Sequence, residues 1–165
     1  MLAELDGALD ALLLGPDCHI GLESTVIDAR GSFPVVLREG GITLERLREA
    51  FPEARLASDD EPRHHSPGTR HRHYAPRARV LLVPHAAQPG ESTTSTRAWI
   101  GMHAPSSPNF ALAHVASDVD AYARALFDFL RRCDAAGVDE ILCEWPPGEG
   151  LGGALRDRLL RASRG

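Results

Sequence analysis

Four short segments of this sequence hold residues that could do chemistry. The first, Gly21-Leu22-Glu23-Ser24-Thr25-Val26-Ile27-Asp28, sets two hydroxyls where a glycine turn enters an extended run. A hydroxyl donates and accepts, so Ser24 and Thr25 can hold a carboxylate or a phosphate without adding charge. By itself the segment reads more simply as a Ser/Thr turn leading into a strand. The second, Leu37-Arg38-Glu39-Gly40-Gly41-Ile42-Thr43, places an arginine at a strand end ahead of two glycines and a helix start. Arg38 offers a planar fork that fits phosphate oxygens, and a helix start adds backbone donors. An exposed arginine before a turn explains the same residues equally well.

The third segment, SPGTRHRHYAP at 66–76, mixes cations, imidazoles and a phenol between prolines and a glycine. Loops of this kind fold over ligands, with His73 and Tyr74 as the candidate contacts. On composition alone a solvated linker is the simpler reading. His64, His65, His71 and His73 fit neither a zinc finger nor an HExxH pattern and have no cysteine nearby, so no metal site is expected. The fourth, PPGEGLGG at 146–153, lacks both the phosphate-loop lysine and a GxGxxG followed by an acidic residue. It reads as a strand-to-helix turn that brings a helix close to a sheet.

The elements that must position these residues follow from periodicity. Residues 11–14 (ALLL), 24–28, 34–38, 80–83, 98–102 and 138–143 read as short strands. Thr43 is placed to cap a helix over 44–50, with Arg46 at the third position precluding a capping box. The clearest helix spans 119–136, where Val119, Tyr122, Ala123, Leu126, Phe127, Leu130 and Cys133 recur at helical spacing. Ser117 or Asp118 can cap it, and Gly137 supplies a left-handed stop. A last helix covers 154–162. Strands alternating with helices predict an α/β fold: a partial sheet over 1–51, a linker over 52–76, and a small Rossmann-like parallel-sheet domain over 77–165.

Composition limits the function classes. The 165 residues are 43% hydrophobic and 25% charged, an ordinary globular balance, with a net charge of -5. All 18 basic residues are arginines. An acidic surface disfavours a tight grip on a nucleic-acid backbone. Cys18, Cys133 and Cys143 lie too far apart for a CxxC motif, and with no leader pattern at the N-terminus they point to a reducing, cytoplasmic setting without membrane insertion.

Taken in order, the segments resemble one family. GLESTVID followed by PVVLREGGIT resembles the end of a YrdC-like domain. SPGTRHRHYAP resembles the PGxxxxHYxP linker of the two-domain threonylcarbamoyl-AMP synthases, and ALFDFLRRCDAAGVDEILCEWPPGEGLGGALRDRLLRAS resembles their C-terminal domain. The likeness covers nearly the whole chain. It implies condensation of L-threonine, bicarbonate and ATP to threonylcarbamoyl-AMP and pyrophosphate, the product then passing through other proteins to an adenosine beside the tRNA anticodon. It also implies that Ser24, with Thr25 beside it, meets the threonine carboxylate and that Arg38 meets the nucleotide phosphates. His73 and Tyr74 would close over the cavity. ATP would enter as a substrate, its Mg2+ carried by the nucleotide rather than by dedicated protein ligands. The family's KxR and PSAN-like segments would precede Met1, so the resemblance implies a back part, inactive alone, completed by an N-terminal half or a complementing chain. The competing expectation is a non-catalytic regulatory or interaction module. An unrelated nucleotide-binding domain is opposed by the missing phosphate-loop lysine.

Overall fold

The computed structural model describes residues 7–8, 10–13, 15–16, 19–58, 76–84, 95–106 and 109–164. The 66–75 part of the histidine segment, with His73 and Tyr74, lies outside these residues, as does Cys18.

Two sheets form. In the first, β1 (Val26–Asp28) runs antiparallel to β2 (Val35–Arg38), and β3 (Arg55–Leu56) lies parallel on the other side of β2. Helix α1 (Leu44–Ala50) links β2 to β3. Its N-cap is Thr43, whose hydroxyl accepts from the Arg46 N–H at 3.3 Å, as the sequence predicts. Strand β3 falls inside the segment expected to be linker. Proline-rich composition hides a strand of two residues, too short to show a period, yet Ala54 and Ala57 beside it are buried. Residues 11–13 form no strand, contrary to expectation, and Leu13 is 98% exposed. An apolar run becomes a strand only where a neighbour completes its backbone hydrogen bonds, and none pairs with it among the described residues.

The second sheet is fully parallel, in the order β4 (Arg79–Val83), β7 (Glu140–Glu144), β5 (Arg97–Gly101), β6 (Leu112–Val115). Between β6 and β7 the chain runs through α2 (Val119–Ala135), and α3 (Gly152–Ser163) follows β7. Asp118 caps α2 by accepting from the Ala121 N–H at 2.7 Å. Gly137 ends the turn after α2 at φ 66°. Val80, Ala98, Ile100, Ile141 and Cys143 pack with Tyr122, Leu126, Leu130, Leu155 and Leu159 in one core. Phe129, not Phe127, is the phenylalanine fully buried on α2. By strand alternation Trp99, Leu142 and Glu144 face the other way, where the Phe110 ring lies 6.0 Å from Trp99. Strand β6 escapes the sequence reading because it is a short edge strand covered on one side only.

Tyr122 ties this core to the strand ends. Its buried hydroxyl lies 3.1 Å from both the Ile100 and Glu144 carbonyl oxygens, so one donor is shared between β5 and β7. Burial, then the neighbouring Cys143 and Glu144, push the phenol well above its ordinary pKa. Burial likewise raises the Cys143 thiol to about 12 and the Cys133 thiol to about 11.

Candidate functional site

Ser24, Thr25 and Arg38 are brought together where the segment entering β1 crosses the end of β2. The closeness rests on Gly40. A Cβ there would collide with the Glu23 carbonyl oxygen and with main-chain atoms of Ser24 and Thr25. Glycine therefore lets the two backbones touch. The Gly41 N–H donates to the Glu23 carbonyl at 3.0 Å. The Thr25 hydroxyl accepts from the Ile42 N–H at 2.9 Å and donates to the Ile42 carbonyl at 2.5 Å. That hydroxyl is committed to stitching the corner. Ser24 is the exposed hydroxyl at the same place.

Arg38 spans the corner as well. Its Nε and Nη2 donate to the Ser24 carbonyl at 3.2 and 2.8 Å. The Ser24 carbonyl holds the fork in place, so a positioned guanidinium stands beside an exposed hydroxyl. This arrangement can receive an anionic group.

The C-terminal helices hold the same corner from behind. Arg158 on α3 is buried, yet its Nε donates to the Glu23 carboxylate at 2.5 Å, and its Nη1 pairs with Asp157. Asp157 also accepts from Arg161 at 2.8 Å. The Arg158 Nη2 is buried without a hydrogen-bond partner among the described residues. A Cβ on Gly153 would meet the Glu39 carboxylate, so that carboxylate sits against the first turn of α3, where helix polarity favours negative charge. Gly21, at φ 73°, lies directly on Ala123 and Arg124 of α2, and Leu22 packs against the parallel-sheet core.

The family model described as "Threonylcarbamoyl-AMP synthase, C-terminal domain" matches residues 42–164. The chain belongs to the threonylcarbamoyl-AMP synthase family. It is 33% identical to the threonylcarbamoyl-AMP synthase of Pyrococcus abyssi, over 95% of this chain and 50% of that protein. The Bacillus subtilis threonylcarbamoyl-AMP synthase is 31% identical, over 98% of this chain and 51% of its own length. Among solved structures, P. abyssi Sua5 complexed with L-threonine superposes with a TM-score of 0.77 at 32% identity, covering 99% of this chain and 52% of that one. The chain thus spans about half the length of the curated relatives it matches.

Two parts of the site escaped the sequence reading. Glu23 and Arg158 stand far apart in sequence, and only the fold joins them. A signal for Arg158 exists: it falls on the buried stripe of α3 with Ala154, Leu155, Leu159 and Ala162, a position where an arginine needs a partner. The expected PPGEGLGG turn is present, and a Cβ on Gly152 would collide with the Pro147 carbonyl. Among the described residues no group of three His, Cys, Asp or Glu could hold a metal ion, and no helix is long and apolar enough to cross a membrane.

Proposed function

We propose that this chain supplies the Ser24–Arg38 corner and the C-terminal domain of an enzyme that joins L-threonine, bicarbonate and ATP into threonylcarbamoyl-AMP. The observation that carries this reading is the corner itself: an exposed hydroxyl beside a fixed guanidinium, in a chain similar to a solved structure complexed with L-threonine. In this proposal Ser24 meets the threonine carboxylate. Arg38 aligns the Ser24 backbone and lends positive charge to the nucleotide phosphates, while Thr25 keeps the two strands in register. His73 and Tyr74 close over the bound substrates. The reaction first turns the threonine amine and bicarbonate into a carbamate with loss of water. A carbamate oxygen then forms a bond to the α-phosphorus of ATP, and pyrophosphate leaves. Held substrates and neutralised phosphate charge are what that displacement requires. Mg2+ would arrive with ATP, and the product would serve tRNA modification.

The free, buried thiols Cys133 and Cys143 support a reducing, cytoplasmic location. The remaining residues that the reaction needs are assigned to an N-terminal half or a complementing chain. The test is pyrophosphate release from threonine, bicarbonate and ATP, using this chain mixed with the N-terminal half of the B. subtilis relative. Release that requires both pieces and all three substrates is expected. A mixture no more active than the N-terminal half alone, although the two pieces associate, would refute the proposal.

A further inference from the structure

We propose that the crevice above the carboxyl ends of β4, β7 and β5 is a second ligand site, for a small oxyanion that carries a flat apolar group. This inference stands independently of the Ser24–Arg38 corner. The position comes first. Strands β4, β5 and β7 end at Val83, Gly101 and Glu144, and the residues that follow them, Pro84, Met102 and Trp145, line one cavity of about 430 Å³. The chain leaves β5 towards β6 on one side and leaves β7 towards α3, which packs on β4, on the other. Crevices at such a divergence are where open parallel sheets bind ligands, and the volume suits a small organic molecule.

The walls specify the chemistry. Pro84, Pro146, Pro147, Met102 and Trp145 give apolar surface, which suits a ring rather than a sugar or a bare ion. Into this surface projects one held cation. The Arg156 Nε donates to the Pro146 carbonyl at 2.8 Å, and the guanidinium lies over the Trp145 ring, 5.1 Å from its centroid. A carbonyl and a ring both fix the group and leave its charge intact, and no carboxylate pairs with Arg156 among the described residues. A positioned guanidinium of this kind is matched by a carboxylate or a phosphate.

Beside it stands an oriented imidazole. Glu144 is 1% exposed, an expensive place for a carboxylate. Its Oε2 accepts from the Met102 and His103 N–H groups at 2.7 and 2.9 Å, and its Oε1 holds His103 Nδ1 at 2.7 Å. The backbone bonds alone would secure the turn after β5. The third bond fixes the orientation of a ring that is 55% exposed and lines the cavity. Carboxylate–imidazole pairs are a general means of fixing a ring and its tautomer for work on a ligand. Gly101 makes the arrangement possible, because a Cβ there would strike the Glu144 carboxylate.

The experiment is a titration of the 15N-labelled chain, read by amide and indole N–H shifts. Phenyl phosphate and benzoate are the probes, with benzyl alcohol as the uncharged control. We expect one saturable site with Kd near ~1 mM, shifts centred on the Trp145 indole and on the Met102, His103 and Trp145 amides, and weak or no binding of benzyl alcohol. The tighter of the two probes identifies the oxyanion as phosphate or carboxylate. Arg156→Gln should weaken binding about tenfold, and His103→Asn should weaken it by a smaller factor. Should Arg156→Gln lose its native spectrum, His103→Asn decides. No saturable shift up to ~10 mM probe, equal binding of benzyl alcohol, shifts centred on Ser24 and Arg38, or unchanged affinity in the folded variants would each overturn the proposal.

Discussion

Gly40 leaves no room for a side chain, because the atoms a Cβ would strike belong to the main chain of Glu23, Ser24 and Thr25 and cannot rotate away. Gly40→Ala must therefore part the two segments. It should lower stability by ~2 kcal/mol or more and weaken threonine binding, read by urea denaturation and by titration. Arg38 predicts a different pattern. Arg38→Ala should reduce turnover of the completed enzyme by ~30-fold or more while costing little stability, and Arg38→Lys should restore little, since an ammonium cannot reproduce the two-nitrogen grip on the Ser24 carbonyl. Kinetics beside thermal melts separate the two effects. At this scale the sequence offered Ser24, Thr25 and Arg38 as separate candidates, and only the fold shows them in contact and divides their roles. Ser24 and Thr25 are adjacent hydroxyls in sequence, and only the structure shows Thr25 committed to Ile42. Two further residues yield a pH dependence. Burial raises the folded pKa of Cys133 to about 11 and of Cys143 to about 12, above the ordinary value of 9.0. The folded state thus keeps its thiol protons where the unfolded state releases them. Below about pH 9 the thiols cost nothing, and stability falls as pH rises from there towards 12. Denaturation midpoints at pH 8 and pH 10.5 should show this loss, and Cys133→Ala should reduce the difference between them.

At the scale of elements, α3 and the corner are joined through Arg158. The Arg158 side chain is 2% exposed and that of Glu23 30%. Glu23→Ala strands a buried guanidinium with only Asp157 left, and should cost ~2 kcal/mol, a value reduced for the partial exposure of Glu23. Arg158→Met, which replaces the buried charge with apolar volume, should cost less than Glu23→Ala. Chemical denaturation of the two variants checks the order, and a larger loss in Arg158→Met would show the ion pair to be stabilising in its own right. Helices were the elements most readable in the sequence, because their stripes and caps are local: Thr43 and Asp118 cap where the pattern places them. Strands were read less well. Residues 11–13 are apolar yet unpaired, whereas β3 is paired yet hidden among prolines, since strand formation depends on a distant neighbour that composition does not reveal.

Across the whole molecule, alternation of strand and helix was enough to predict the parallel sheet, since a parallel connection needs a crossover. The docking of residues 19–25 onto α2 and α3 had no such signature. It depends on Gly21 lying against Ala123 and Arg124, on Leu22 in the core, and on the Glu23–Arg158 pair. This docking makes helices α2 and α3 part of the scaffold for the Ser24–Arg38 corner. The most direct test of the account is to titrate the labelled chain with L-threonine and with D-threonine, following every backbone amide. We predict saturable shifts for the L-isomer, centred on residues 22–25 and 38–42, much smaller for the D-isomer and lost in Ser24→Ala. Shifts equal for both isomers, or unchanged in Ser24→Ala, would contradict the account.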